Sequence, residues 1–274
     1  MRRPAVLAVL ALVLVVCGLS LWRGLTSDDT DLEAEDSTLL AAREADPGPP
    51  PTGQLPPPLP TDGFENLFVP GAPAQMDDGT KVTMAVLDAG PLDLPSGRLI
   101  ACDPFVQAID HDYQGSFVDT VAPGTYPVTI AAAESSDGYQ TVAAVRLTVR
   151  EEPVTDWQMA LLAGEKLENL GPDEFYGFGV DAGTGAYVDA TALDALTRLA
   201  EDEEDPLATA EMADDDKLFW NLRDKQSGHN VVAFHSGFGD GAYPTWVGRT
   251  ATGEIAQFVT DLLVVPPPGA PDTR

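Results

Sequence analysis

Two apolar runs, YPVTIAAAE at 126–134 and YQTVAAVRLTVR at 139–150, are joined by Ser135, Ser136, Asp137 and Gly138, and this pairing constrains the fold most. An Asp-Gly step between runs rich in β-branched residues closes a β-hairpin, because glycine takes the left-handed backbone such a turn requires. Runs of the same kind recur at 81–88 (KVTMAVLD), 97–103 (GRLIACD), 157–164 (WQMALLAG), 174–181 (EFYGFGVD), 185–190 (GAYVDA) and 230–237 (NVVAFHSG). The series ends with YPTWVGRT and EIAQFVTDLLVV, tightly connected through Ala251, Thr252 and Gly253. So many strands on short loops predict a mainly β fold of antiparallel strands, either a β-sandwich or barrel-like.

Two inserted α-helices interrupt the strands. In DATALDALTRLA, Thr191 is placed to cap a helix with Asp194 three residues on, and Leu193, Leu196 and Ala200 share one face. The acidic run EDEED follows, and negative charge opposes the helix dipole at a C-terminus, so this helix is expected to stop near Ala200. The second helix is expected to start at Pro206 and run to about Lys225, with Leu218, Phe219 and Leu222 turned inward.

The chain has 274 residues, enough for one large domain or two small ones, with 44 Asp and Glu against 15 Lys and Arg, a formal charge of -29. Nucleic-acid binding draws its affinity from cationic contacts and counterion release, so DNA and RNA are excluded as partners. Direct adhesion to anionic headgroups is disfavoured on the same ground. Only Cys17 and Cys102 are present, and Cys17 lies in the apolar N-terminal run, so no intramolecular disulfide is expected. Cys102 reads as a small core residue.

Residues 1–26 read as an N-terminal transmembrane segment: Arg2 and Arg3 precede an uncharged apolar run from Ala5 to Trp22, and Arg23 closes it. No small-residue cleavage pattern follows the run. The reading taken is an uncleaved signal anchor in a cell membrane, single-pass with the N-terminus inside. A lipoprotein acylated at Cys17, or a secreted chain, stands as the alternative. Residues 27–62 are acidic and then proline-rich, a disordered stalk that holds the next domain off the membrane. The folded, extracytoplasmic domain is expected over 63–265, with a proline-rich tail at 266–274.

Two glycine-rich stretches carry the candidate chemistry. In HSGFGDGAYPTWVG, which starts at His235, Ser236 lacks the G-x-S-x-G elbow of a hydrolase nucleophile, and on a strand His235 points to the opposite face from Ser236. The plain reading is a hairpin loop in which Gly237, Gly239 and Gly241 supply positive φ or close approach, with Pro244 where strand pairing starts. The second stretch, GFGVDAGTGAYVDA from Gly177 to Ala190, carries Asp181 and Asp189. Clustered carboxylates are the hard oxygen ligands that Ca2+ takes, so Asp181, Asp189 and Asp240 are the candidate ligands for Ca2+ or another divalent cation, without an EF-hand pattern. No other cofactor is expected.

The segments GRLIACDPF, YPV, VAAVRL, FGVDAGTGAYVD and NVVAFHSGFGDGAYPTWVGRTATGEIAQFVTDLLV occur in an order that resembles the bacterial family catalogued as domain of unknown function 4241. The resemblance covers about Leu94 to Val265. It implies that Asp103, Asp181, Gly183, Gly185, Asp189, Gly237, Gly239, Asp240, Gly241, Tyr243, Pro244 and Asp261 fall at signature positions, and it implies no activity. Candidate ligand-binding residues are therefore Asp103, Asp181, Asp189, His235, Ser236, Asp240 and Tyr243. The expected function is a membrane-tethered, non-catalytic binding module with a protein or small-molecule partner. The competing expectation is a divalent-cation-assisted hydrolase that uses clustered aspartates.

Overall fold

The computed structural model describes residues 63–171, 174–201, 206–214 and 216–267. The apolar run at 5–22, the stalk at 27–62 and most of the tail at 266–274 lie outside the described residues. Among those described, no helix is long and apolar enough to cross a membrane.

In chain order the elements are α1 (Phe64–Leu67), β1 (Pro73–Gln75), β2 (Lys81–Leu94), β3 (Leu99–Cys102), α2 (Pro104–Ile109), β4 (Gly124–Glu134), β5 (Gln140–Thr148) and β6 (Asp156–Met159). A single 3-10 turn at Leu167–Asn169 precedes β7 (Phe178–Val180), β8 (Thr184–Asp189), α3 (Leu193–Ala200), α4 (Pro206–Ala213) and β9 (Phe219–Arg223). Then come β10 (Asn230–His235), β11 (Gly241–Tyr243), β12 (Thr245–Arg249) and β13 (Ile255–Asp261). A large sheet of seven strands has the order β1-β2-β4-β5-β13-β12-β6, a middle sheet of four has β3-β8-β10-β9, and β11 pairs with β7 alone. All these pairings are antiparallel, and the large sheet curls as a half-barrel. Bulges at Asp88/Gly90, Ala131/Ala132 and Gly248/Arg249 bend it locally. The expected antiparallel β architecture is present.

Alternation along the middle strands explains the stacking. Leu99, Ala101, Tyr187, Val232 and Phe234 join the core shared with the large sheet, while Ile100, Cys102, Ala186, Val188, Val231 and Ala233 join a second core. That second core is completed by helix residues such as Ala195, Leu196, Leu199 and Leu207. Side chains two apart share a face, so a strand buried on both faces reads as an unbroken apolar run. The free Cys102 is one such residue, and burial pushes its thiol well above the usual range. Tyr187 crosses from the middle sheet to the large one, where its hydroxyl lies 3.1 Å from the Val145 carbonyl and 2.7 Å from Thr260 Oγ1.

Three expectations need correction. The helix expected over 206–225 stops at Ala213, and Phe219–Arg223 is the edge strand β9. Leu218, Phe219 and Leu222 fit a helical face, but Trp220 and Leu222 also fit a two-residue period, and pairing with β10 decides between the two. At α3 the cap is Ala192 with no side-chain bond, because the Thr191 amide and hydroxyl are turned back to Asp189 Oδ1. Four α-helices are described rather than two, since α1 and α2 went unanticipated. The ends of α3 and β4–β5 fall close to where the sequence put them.

Residues 63–72 run as a strap over the outer face of the large sheet. Phe64 sits edge-on to Trp157 at 5.1 Å and to Trp246 at 6.0 Å, and the Arg146 guanidinium lies 4.2 Å from the centre of the Phe68 ring. Gln257 Nε2 donates to Glu65 Oε1 at 2.8 Å. Gly248 makes room for the packing, since a Cβ there would lie 3.1 Å from the Trp157 ring and 2.8 Å from Val154. Each apolar side chain the strap buries contributes about 1.5–3 kcal/mol. Beneath it the buried Nε of Arg146 and Nε1 of Trp246 have no partner among the described residues, and each such donor costs about 1–3 kcal/mol. Three strap side chains, Phe64, Leu67 and Phe68, are buried.

Tyr187→Phe removes the hydroxyl that bridges the two sheets. Urea denaturation is expected to show a loss of about 1–3 kcal/mol with an unchanged m-value.

Candidate functional site

The chain runs through β7 and β8 and through β10 and β11 as one long antiparallel ribbon that opens in the middle. On one side of the opening Thr184 pairs with His235, and on the other Val180 pairs with Gly241. Residues 181–183 of one run and 236–240 of the other bulge apart as facing loops. Two bonds hold the loops to each other: Ser236 N–H donates to the Gly183 carbonyl at 3.0 Å, and Gly183 N–H donates to Asp240 Oδ1 at 3.0 Å. The two glycine-aspartate stretches therefore converge on one place. The loop after His235 is not a simple hairpin, because β11 pairs with β7 rather than with β10.

Asp103 causes the opening on one side. It is fully buried at the end of β3, where it caps α2. Its Oδ1 accepts from Phe105 N–H at 2.9 Å and Val106 N–H at 3.2 Å, and Oδ2 accepts from Asp181 N–H at 2.9 Å and Ala182 N–H at 3.2 Å. Backbone donors that would otherwise need a strand partner are thus taken by a carboxylate. The other loop is fixed by tight contact, since Gly237 has φ 59° and a Cβ there would lie 2.8 Å from the Leu262 carbonyl oxygen. Ser236 Oγ donates to the Gly239 carbonyl at 2.8 Å, and the Tyr243 hydroxyl lies within donating distance of the Ser236 and Gly239 carbonyls, at 2.7 and 2.6 Å. Burial raises the Tyr243 phenol above its usual value.

These bonds assign most of the candidate residues. Asp103, Ser236 and Tyr243 build the loops from within. Asp189 is fully buried away from the opening, with Ser96 N–H at 3.0 Å and Ser96 Oγ at 2.7 Å on Oδ2, and Thr191 on Oδ1. His235 packs edge-on against Trp220 at 4.9 Å, and burial lowers its pKa. It shares the helix side of the sheet with Trp220, while Ser236 Oγ is turned to Gly239, so no serine-histidine pair forms. Asp181 and Asp240 are exposed. Among the described residues no three His, Cys, Asp or Glu side chains gather in a group that could hold a metal ion. The three aspartates proposed as ligands are thus split, two at the opening and Asp189 capping a turn elsewhere.

Two aromatic residues at the site were not singled out from the sequence. Phe238, at the tip of its loop between Gly237 and Gly239, is 68% exposed, and Tyr113 is 39% exposed. The Tyr113 hydroxyl reaches the Gly179 carbonyl at 3.4 Å, and its pKa is raised by burial and then by the charges of Asp103 and Asp181. A phenylalanine between two glycines in a polar loop is the signal that would have marked the first; Tyr113 carries no such signal. A nearby depression beside Phe117, Tyr176 and Thr245 has about 10 Å3 of room, about one water molecule.

A family model described as protein of unknown function (DUF4241) matches residues 92–260, from the last three residues of β2 to the residue before the end of β13. The chain belongs to the DUF4241 family. No curated protein and no solved structure matches it. The DUF4241 match takes in both loops, Asp103 and Asp189, and leaves the strap outside.

Just past the DUF4241 match, Asp261 supports the loop pair from behind. Its N–H donates to the Pro244 carbonyl at 3.0 Å, and its Oδ1 accepts from Leu263 N–H at 2.9 Å, closing a turn in which Leu263 has φ 57°. The carbonyl of Leu262 in this turn is the one that abuts Gly237. Burial pushes the Asp261 carboxyl from its ordinary 3.8 up to about 6, opposed only by the Leu263 N–H. The folded chain therefore holds this proton more tightly than the unfolded chain, and stability falls as pH rises from about 4 through about 6. Asp261→Asn is expected to stabilise the protein at pH 7.5 by up to about 3 kcal/mol, with the gain vanishing near pH 4, read from denaturation curves across pH.

Asp103→Asn keeps one acceptor oxygen and turns an amide NH2 toward backbone donors. A stability loss on the order of 3 kcal/mol is expected by the same measurement, against less than about 0.5 kcal/mol for the exposed Asp181→Asn.

Proposed function

We propose that the chain is a membrane-tethered, extracytoplasmic binding module without catalytic activity, whose ligand surface is the rim formed by the two facing loops. The arrangement of their polar groups carries this reading. Asp103, Ser236 and Tyr243 spend their hydrogen bonds inside the loops, leaving Asp181, Phe238 and Asp240 exposed on a stiffly supported edge, with Oδ1 of Asp240 also bracing Gly183. A site prepared for bond-making would hold a nucleophile beside its base, and Ser236 and His235 face different ways. A rigid rim with an exposed aromatic tip instead suits recognition, because little ordering entropy is lost on contact. The arginine-led apolar run and proline-rich stalk motivate the placement outside the membrane.

Two measurements test this. In intact cells, added protease is expected to digest the head while leaving a membrane-bound N-terminal fragment; a head protected until lysis overturns the tethered placement. A photo-crosslinking residue at position 238 is expected to give a discrete adduct that Asp181→Asn with Asp240→Asn abolishes, while one at the exposed Tyr139 of the β4–β5 hairpin gives none. Calcium added to the purified protein is expected to leave its Tm unchanged. A shift that either aspartate substitution removes would favour the cation-assisted hydrolase.

A further inference from the structure

The outer face of the large sheet, on the far side from the middle sheet, has the makings of a second recognition surface, and the strap shows what fits it. Cross-strand neighbours Trp246, Val259 and Arg146 form one row there, since Trp246 and Arg146 both pair with Val259. Trp157 and Gln257 flank this row, paired with Gly248. The strap lays two aromatic rings four residues apart on this platform, one turn of helix being the spacing that puts both on a single side.

Among the described residues, 63–69 are attached to the sheet by side chains alone. Backbone hydrogen bonds of 63–69 stay within the strap, such as Leu67 N–H to the Gly63 carbonyl at 3.3 Å. The first bond to the sheet is Gly71 N–H to the Met84 carbonyl at 2.7 Å. Between the two regimes lie Val69, 48% exposed, Pro70, and Gly71 with φ 77°, a place where the chain can swing. Underneath, Trp246 is wholly buried, and its Nε1 and the Nε of Arg146 have no partner among the described residues.

We propose that this face is a peptide-docking surface closed by the chain's own residues 63–70, which lift about Pro70–Gly71 to admit a partner segment with an acidic residue and two aromatic residues four apart. It is separate from the loop rim, and its residues 63–70 precede the family match at 92–260. Phe64 shows the preference for an aromatic ring against the two indoles, Phe68 for one under the guanidinium, and Glu65 for a carboxylate at Gln257.

The probe is a fluorescent peptide with the sequence of residues 63–72, GFENLFVPGA, added to full-length protein. With Phe64→Ala and Phe68→Ala the chain's own strap no longer competes, and the peptide is expected to bind this variant at least about tenfold more tightly than the unsubstituted protein. A peptide with both phenylalanines replaced by alanine is expected not to bind. A folded variant, by unchanged circular dichroism, that ignores the peptide or binds both peptides equally overturns the proposal. Hydrogen exchange on the unsubstituted protein gives a second reading that does not depend on the variant folding. Amides of 64–69 are expected to exchange well before those of β5 and β13, and exchange only with global unfolding overturns the strap's opening.

Discussion

Everything at the loop rim depends on one buried carboxylate. Asp103 accepts four backbone N–H bonds, two from the helix it caps and two from the loop of another strand pair. A negative group in the interior is tolerated when its acceptor capacity is met, and here each oxygen takes two donors. The consequence is geometric: the ribbon of β7–β8 against β10–β11 must open where Asp103 takes its amides. Asp240 then crosses to hold Gly183, and the opening becomes a fixed feature rather than a frayed one.

Much of the β framework could be read directly from the amino-acid order. The Asp-Gly turn at 137–138 lies between β4 and β5, and the tight Thr250–Gly253 connection joins β12 and β13. Runs such as LIAC and NVVAFH were legible as strands but not as the middle of a stack, because burial on both faces erases the polar alternation that would have shown a side. The stretch at 218–225 misled for a different reason. Leu218, Phe219 and Leu222 satisfy a helical period, and only the long-range ladder to Val231–Phe234 selects the strand. Asp103 followed by Pro104 is a helix-start signal, and α2 begins there.

For the site, sequence grouped the right loops and mixed the roles within them. Asp103, Asp181, Asp189 and Asp240 look alike as letters, yet two are interior acceptors and two face solvent. Which is which depends on donors brought from elsewhere in the chain, such as Ser96 to Asp189, and no local pattern encodes that. Asp261 is similar: its raised pKa comes from what packs around it, not from its neighbours in sequence.

The strap has one mechanical corollary. A pull applied from the N-terminal side reaches α1 first, and α1 is held by aromatic faces and one side-chain bond. Beyond it β1 runs antiparallel to the edge of β2, so continued force would peel a three-residue strand instead of shearing a long ladder. The three-residue pairing at this margin is thereby the first ladder to yield, well before the long one between β2 and β4.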